Sequence, residues 1–329
     1  ATRQAEAHGE KRLAVEVANA PDLAVVELDG GRLRTREMGR GPGTREPAWK
    51  ETKNALFLRM SSAVHEADPH PKLPDSLQKR ERIRQLVREM SGATSGEEAP
   101  PDGAREEPDE VPVVPGDHRP RKLLRTCLSS LDDVHTFGPL MAAEAHRKAF
   151  FQAPRQAFVA DGMKCNWTVW RKHFPTFTPI VDLLHVISHV YQAAVAIGGD
   201  EDFGWGQCLE WIEAIWQGRV EDVLSPLAEW LNSQPPLDET VPEDDPRRLA
   251  RSTLTYLTNN RSRMNYPEYR RNGLPITSSL MESLVKEMTQ KLQEGIIGGH
   301  PEMPVFKLTE PEARALVAYM RSIQSDTRK

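Results

Sequence analysis

The middle of the chain alternates between segments typical of strands and segments typical of helices, and this alternation constrains the fold most strongly. Such alternation indicates an α/β protein, in which a mixed sheet is flanked by helices. The predicted order is strand 125–131, helix 139–151, strand 156–160, helix 166–173, strand 178–183, and then a helix from Asp182 to about Ile197.

The N-terminal part adds further sheet elements. Residues 23–28 (LAVVEL) have the unbroken apolar character of a buried strand, which ends at Asp29-Gly30-Gly31. Because Asp-Gly and Gly-Gly favour tight turns, we predict a hairpin there, with residues 32–36 returning as its second strand. Residues 49–64 are predicted to continue the sheet, and residues 77–90 are predicted to form a helix.

A linker and a helical block interrupt this pattern. The stretch from Ser91 to Pro120 holds six prolines among acidic and small residues, a composition that buries little apolar area. Residues 205–269 show apolar residues at helical spacing with no strand signal, and a last helix is predicted after Pro275.

Composition excludes several classes of protein. The chain is 38% hydrophobic and 28% charged, and no apolar run is long enough to span a bilayer, so we expect a soluble, cytoplasmic protein without membrane partners. Its three cysteines form no C-x-x-C pair, which argues against a disulfide framework, a cysteine zinc site and attached haem. The net charge of −5 is segregated into acidic and basic clusters, which leaves an anionic partner possible.

Carboxylates at strand ends are the first candidates for chemistry. Asp29 and Asp161 each follow a predicted strand and precede a glycine. Ligands of α/β sheets gather beyond the carboxyl ends of strands, although an Asp-Gly pair is also an ordinary turn.

Helical candidates come next. Asp182, His185 and His189 share one face of a helix and could form a metal set, or Asp182 could simply be the helix N-cap. Glu282 belongs to an S-x-x-E sequence, which is the pattern of a capping box. Taken together, three converging carboxylates would suit two Mg²⁺ or Mn²⁺ ions about 4 Å apart, an arrangement that cleaves phosphodiesters.

Several stretches, in this order, resemble the DDE transposases of bacterial insertion sequences, in a branch related to the Mutator-like elements with a ribonuclease H-like catalytic core. They are VVELDGGRLRTRE around Asp29, WKETKNALFLRMSS (49–62), FVADGMKCNWTVWRKHFPTFTPIVDLLHVISHVYQAA (158–194) and YRRNGLPITSSLMESLVKEM (269–288). The resemblance spans roughly residues 20–290. It implies metal-dependent cleavage and strand transfer at transposon ends, by a homo-oligomer assembled on DNA.

The resemblance also implies roles for individual residues. Asp29, Asp161 and Glu282 would be the catalytic, metal-binding carboxylates, and Asp182 with His185 would match a supporting Asp-x-x-His element. Phosphate contacts, which dominate affinity for nucleic acid, are assigned to basic residues of the segregated clusters. These are Arg32, Arg34, Arg119, Arg121, Lys122, Arg270 and Arg271.

The implied domain organisation places the catalytic core in two parts, 1–90 and 121–200, separated by a disordered linker over 91–120. An all-helical insertion occupies 201–274, and the helix that carries the last carboxylate occupies 275–294. Residues 295–329 depart from the family, because 299–324 resemble the end of a class I cytochrome c, in which Met303 would be a haem ligand. We expect no haem, since no C-x-x-C-H motif is present.

Three alternatives remain open at this level. The chain begins at Ala1 without the family's module for recognising element ends, so we expect a fragment or a processed chain, and an inactive remnant that binds DNA weakly is one possibility. An electron-transfer fragment is suggested only by the tail. A zinc hydrolase using Asp182, His185 and His189 is the third.

Overall fold

A computed structural model describes residues 20–35, 48–90, 120–199, 201–237, 241–242 and 244–278. Its centre is a five-stranded sheet in the order β3-β2-β1-β4-β5. The strands are β1 (Leu23–Thr35), β2 (Ala48–Ser61), β3 (Arg121–Ser130), β4 (Arg155–Ala160) and β5 (Thr178–Val181). The pairs β1–β2 and β2–β3 are antiparallel, whereas β1–β4 and β4–β5 are parallel, so the sheet is mixed.

Eight α-helices accompany the sheet in the described ranges. They are α1 (Arg80–Met90), α2 (Val134–Arg147), α3 (Lys164–His173), α4 (Leu183–Gly198), α5 (Glu201–Trp216), α6 (Glu221–Asn232), α7 (Pro246–Asn260) and α8 (Tyr266–Arg271). None of the described helices combines the length and the apolar character needed to cross a bilayer.

The central strand β1 explains why helices cover both faces of the sheet. Each residue from Leu23 to Leu28 is buried, and neighbouring side chains on a strand point to opposite faces. On one face, aromatic rings pack between the sheet and helices α2 and α3: the Phe158 ring lies 6.3 Å from that of Trp167 and 5.4 Å from that of Phe174.

Helix α4 is the centre of the helical packing. It contacts α1, α5 and α7, and its buried residues include Val186, Ile187 and Val190. Asp182 caps its first turn by accepting a hydrogen bond from the backbone N–H of Leu184, and Gly199 ends it with φ of 74°. The start of this helix is therefore fixed at the end of β5, next to the carboxyl ends of the parallel strands.

The predicted α/β architecture with a mixed sheet is confirmed, but the hairpin at Gly30-Gly31 is wrong. Strand β1 continues to Thr35 and pairs with β2 without interruption, from Leu23 opposite Met60 to Thr35 opposite Ala48. A long partner strand satisfies the backbone of the glycines in extended form, so the local turn preference does not decide the conformation.

Other boundaries differ by a few residues. Helix α2 begins at Val134 instead of residue 139, because Asp133 caps it by accepting from the backbone N–H groups of His135 and Thr136. The described residues of the predicted all-helical insertion form helices α5 to α8, joined by turns and loops and without a strand. The helix predicted over 275–294 does not begin at its predicted start, because residues 275–278 are described and are not helical; the rest of that helix with Glu282, residues 91–119 and the tail with Met303 lie outside the described residues.

Candidate metal centre

The sheet register brings Asp29 and Asp161 together. Parallel pairing between β1 and β4 ends with Leu28 opposite Ala160, and each aspartate is the next residue of its strand. Neighbouring strands lie about 4.8 Å apart, so the two carboxyl groups extend from adjacent positions at the same edge. The predicted convergence of these two residues is therefore present in the structure.

His185 joins the two aspartates from helix α4. One ligand atom from each of Asp29, Asp161 and His185 lies within 4.8 Å of the others, and all three side chains are half-buried. His185 reaches this position because α4 starts directly after β5, whose parallel neighbour β4 carries Asp161 at its end. The cluster thus combines the carboxyl ends of the neighbouring strands β1 and β4 with the first turn of helix α4.

Asp182 lies next to the cluster, as the N-cap residue of helix α4. It is fully buried, and its Oδ1 accepts from the Leu184 backbone N–H at 2.7 Å. Its Oδ2 accepts from the Ser278 backbone N–H at 2.8 Å and from the Ser278 hydroxyl. The same Oδ2 lies 3.7 Å from Nδ1 of His185, a distance that makes an ion pair. Asp182 therefore serves as the helix cap and also forms an ion pair with the imidazole.

The two aspartates of the cluster divide their oxygens between local structure and the site. Asp161 Oδ1 accepts from the backbone N–H of Met163 at 2.9 Å and from Asn166 Nδ2 at 2.8 Å. Asp29 Oδ1 accepts from the backbone N–H of Gly30 at 2.7 Å. Within the described ranges these bonds all end on Oδ1, so Oδ2 of each carboxyl remains for a ligand.

Helix α7 holds the turn that follows Asp161, a contact that no sequence pattern predicted. The Tyr256 hydroxyl donates to the Asp161 carbonyl at 2.8 Å, and Asn260 Nδ2 donates to the Gly162 carbonyl at 3.3 Å. Gly162 has φ of 94°, and a Cβ atom there would lie 2.6 Å from the Tyr256 ring. The one hint in the sequence is the Asp-Gly pair, because a glycine allows another group to approach the backbone closely.

Burial and mutual charge interactions shift the pKa values of the residues in the cluster. The pKa of Asp29 is raised to about 7, first by burial and then by the charge of Asp161, with a smaller contribution from Asp182, against the lowering effects of His185 and of the Gly30 backbone N–H. Burial alone would lower the pKa of His185, but the Asp182 carboxylate outweighs it and, with Asp29 and Asp161, raises the pKa to about 9.

His189 lies one turn further along α4 and behaves differently. Burial, followed by the charge of His185, lowers its pKa to about 4. Its ring stacks on that of Tyr256 with centroids 3.9 Å apart, and it does not belong to the metal-compatible group. The predicted set of Asp182, His185 and His189 is therefore not the one that the described residues bring together.

The chemistry of the donor set fits a divalent cation. Two carboxylates and an imidazole within a few ångströms are suitable ligands, and the pKa of Asp29 is raised first by burial and then by repulsion from the charge of Asp161. A bound cation would relieve that repulsion. Glu282, the third predicted carboxylate, lies outside the described residues.

The predicted phosphate contacts are dispersed. Arg121 and Lys122 are the first two residues of β3. Arg121 pairs with Ser61 of β2, and Ser61 lies one residue beyond the partner of Leu23, where β1 starts. Arg121 is therefore about 20 Å from Asp29 along the strand direction. Their position rules out contact with a phosphate bound at Asp29, because neither side chain spans that distance.

Arg270 is a correction to the prediction. It is buried, donates to both carboxylate oxygens of Asp68 and lies 4.0 Å above the Trp216 ring, so it stabilises the packing of α8 instead of facing a nucleic acid. Arg271 is partly exposed and pairs with Glu268. Arg32 and Arg34 lie on β1 just beyond Asp29, and Arg119 lies outside the described residues.

Comparisons with known proteins give no assignment: no protein family, no curated protein and no solved structure matches this chain.

Proposed function

We propose that the chain is the catalytic domain of a DDE transposase, which cleaves DNA strands and transfers them with the help of divalent metal ions. The observation that carries this proposal is the meeting of Asp29, Asp161 and His185 at the carboxyl edge of parallel strands. Carboxylates in that position are the groups that such chemistry needs.

The sheet supports the finer assignment of a ribonuclease H-like core. A central strand flanked by an antiparallel pair on one side and two parallel strands on the other, in the order β3-β2-β1-β4-β5, is the arrangement such a core would have. Helices on both faces and a helical block after β5 agree with it.

Asp29 and Asp161 would hold the metal, with Glu282 as the third carboxylate. Ser278 is anchored on Asp182, and Glu282 follows it by four residues, a length of chain that spans at most about 14 Å. The role of Glu282 rests on the sequence resemblance, since this residue lies outside the described part of the chain. When bound, divalent ions would lower the pKa of the attacking water or 3′-hydroxyl and neutralise charge on the leaving oxygen.

The protein's own part is to hold these groups in place. Hydrogen bonds to Oδ1 fix the rotamers of Asp29 and Asp161, so each Oδ2 is presented without further ordering. Tyr256 fixes the backbone of Asp161 from the opposite side. Arg32 and Arg34, which follow Asp29 on β1, are proposed to contact DNA phosphates near the cut strand.

The test is nicking of supercoiled plasmid DNA by the full chain in Mg²⁺ or Mn²⁺. We expect Asp161→Asn to lower the nicking rate by at least about 100-fold, because it removes a ligand charge while keeping the shape of the side chain. Asp22→Asn is the matched control, since Asp22 is exposed at the other end of β1.

Two results would contradict the proposal. Equal nicking by the Asp161→Asn variant and the unaltered chain would show that cleavage does not use this cluster. Absence of metal-dependent nicking by the unaltered chain, together with intact metal binding, would favour the inactive remnant.

A further inference from the structure

We infer that His185 is itself a metal ligand, so that the centre has two carboxylates and one imidazole and prefers Mn²⁺ to Mg²⁺. This inference rests on the metal site of the proposed function and deepens it. The sequence resemblance assigned His185 only a supporting role, whereas the geometry places it among the groups that would touch the ion.

The position of His185 carries the first step. Its ligand atom lies within 4.8 Å of those of Asp29 and Asp161, the spacing of donors that share one cation. Nδ1 is buried and lies 3.7 Å from Asp182 Oδ2. Nε2, the other ring nitrogen, is the one that we assign to the ion.

The fixation of Asp182 carries the second step. Metal-binding histidines usually direct their other ring nitrogen at a carboxylate, which sets the tautomer and the orientation of the ring. Asp182 Oδ2 faces Nδ1 of His185 at 3.7 Å, an ion-pair distance that is longer than a hydrogen bond, and Asp182 is immobilised by Leu184 and by both donors of Ser278. A fully buried carboxylate held by three donors is a rigid support for an imidazole ligand.

The chemistry of the donors carries the third step. Mg²⁺ strongly prefers oxygen ligands and retains much of its water, whereas imidazole suits first-row transition ions. Replacing one oxygen donor by Nε2 therefore weakens Mg²⁺ more than Mn²⁺. A centre with Asp29, Asp161 and His185 should bind Mn²⁺ more tightly than Mg²⁺. A centre made of carboxylates alone discriminates poorly between the two ions.

His189 provides a matched comparison on the same helix. It lies one turn after His185, but its ring is stacked on Tyr256, and it is not part of the group. A variant at each histidine therefore removes an imidazole from α4, and only one of the two changes should affect the ion.

The experiment uses Mn²⁺ alone as the probe, added to the purified full chain. Pulsed electron paramagnetic resonance detects coupling between the Mn²⁺ electron spin and a nitrogen ligand, and calorimetry gives the affinities for Mn²⁺ and Mg²⁺. We expect nitrogen coupling in the unaltered chain and in His189→Gln, and none in His185→Gln. The ratio of Mn²⁺ to Mg²⁺ affinity should fall about tenfold in His185→Gln.

Growth with ¹⁵N-histidine tests the same point without a substitution, because the label changes the coupling pattern whenever a histidine binds the ion. This arm remains informative if His185→Gln fails to fold. Bound Mn²⁺ without nitrogen coupling, or coupling that persists in folded His185→Gln, would overturn the inference.

The two proposals fail separately. If both ions bind, depend on Asp161 and show no nitrogen coupling, the metal centre of the proposed function stands and His185 is only its ion-paired support. If neither ion binds, the metal centre and this inference fail together.

Discussion

Asp29 should make the metal-free protein less stable as the pH rises, and Asp29→Asn should remove this effect. The carboxyl has an ordinary pKa near 3.8, but in the folded protein its pKa is about 7, because burial and the charges of Asp161 and Asp182 oppose ionisation. A raised pKa means that the unfolded chain releases this proton first. The cost of ionising Asp29 in the folded state is therefore absent below pH 3.8 and complete above pH 7.

The magnitude follows from linkage between the two pKa values. With pKa values of 3.8 and about 7, the ionisation of Asp29 costs about 2 kcal/mol at pH 5 and about 4 kcal/mol at pH 8. Asparagine has nearly the same shape and never ionises. The difference in unfolding free energy between Asp29→Asn and the unaltered chain should therefore increase by about 2 to 3 kcal/mol in favour of the variant from pH 5 to pH 8.

Urea denaturation of both proteins at pH 5 and pH 8 in the presence of EDTA measures this difference, because other titrating groups affect both chains alike. Asp22→Asn, at the exposed other end of β1, controls for the loss of one negative charge. A difference between Asp29→Asn and the unaltered chain that is the same at both pH values would refute the reasoning. It would mean that Asp29 is solvated and that neither burial nor the charges of Asp161 and Asp182 oppose its ionisation.

Three further predictions concern the same cluster. Mn²⁺ affinity, measured by calorimetry, should rise as the pH increases through about 7 and continue to rise towards pH 9, because both Asp29 and His185 must lose a proton to bind the ion; constant affinity from pH 5.5 to pH 8 would contradict this. Tyr256→Phe should cost about 1 kcal/mol of unfolding free energy and weaken Mn²⁺ binding, whereas Tyr269→Phe, which loses a hydrogen bond to Pro179 on β5, should leave metal binding unchanged. Gly162→Ala should lower the unfolding free energy measured by urea denaturation by about 3 kcal/mol, and Gly199→Ala by about 1 kcal/mol. Both glycines have positive φ, but only Gly162 is covered by Tyr256. Equal costs would contradict the contact between Gly162 and Tyr256.

The sequence predicted the α/β class and most elements of the fold because their signals are local. Apolar runs such as residues 23–28 and the helical spacing after residue 205 survive in the structure with small changes of boundary. The turn predicted at Gly30-Gly31 failed for a physical reason: the pairing of β1 with β2 outweighs local turn preference, and pairing partners distant in the chain are invisible to a local pattern.

The candidate site was predictable only in part, for a related reason. Asp29, Asp161 and His185 could be chosen because chemistry-bearing residues at strand ends and on one helix face are expected to converge. Tyr256 could not, since it reaches the Asp161 carbonyl from a helix far along the chain. Arg270 was misjudged because the sequence does not reveal that Asp68 and Trp216 bury it.

The alternatives considered for each aspartate were a structural role or a functional one, and the structure indicates that a single carboxyl can have both. Asp161 shapes its turn through Oδ1, and Asp182 caps α4 through Oδ1 while Oδ2 faces His185. A carboxyl has two oxygens, so binding a backbone N–H with one of them fixes the direction of the other. A capping or turn signal is therefore no argument against a catalytic role. In an α/β sheet it is one way in which a carboxylate at a strand end is held ready for a ligand.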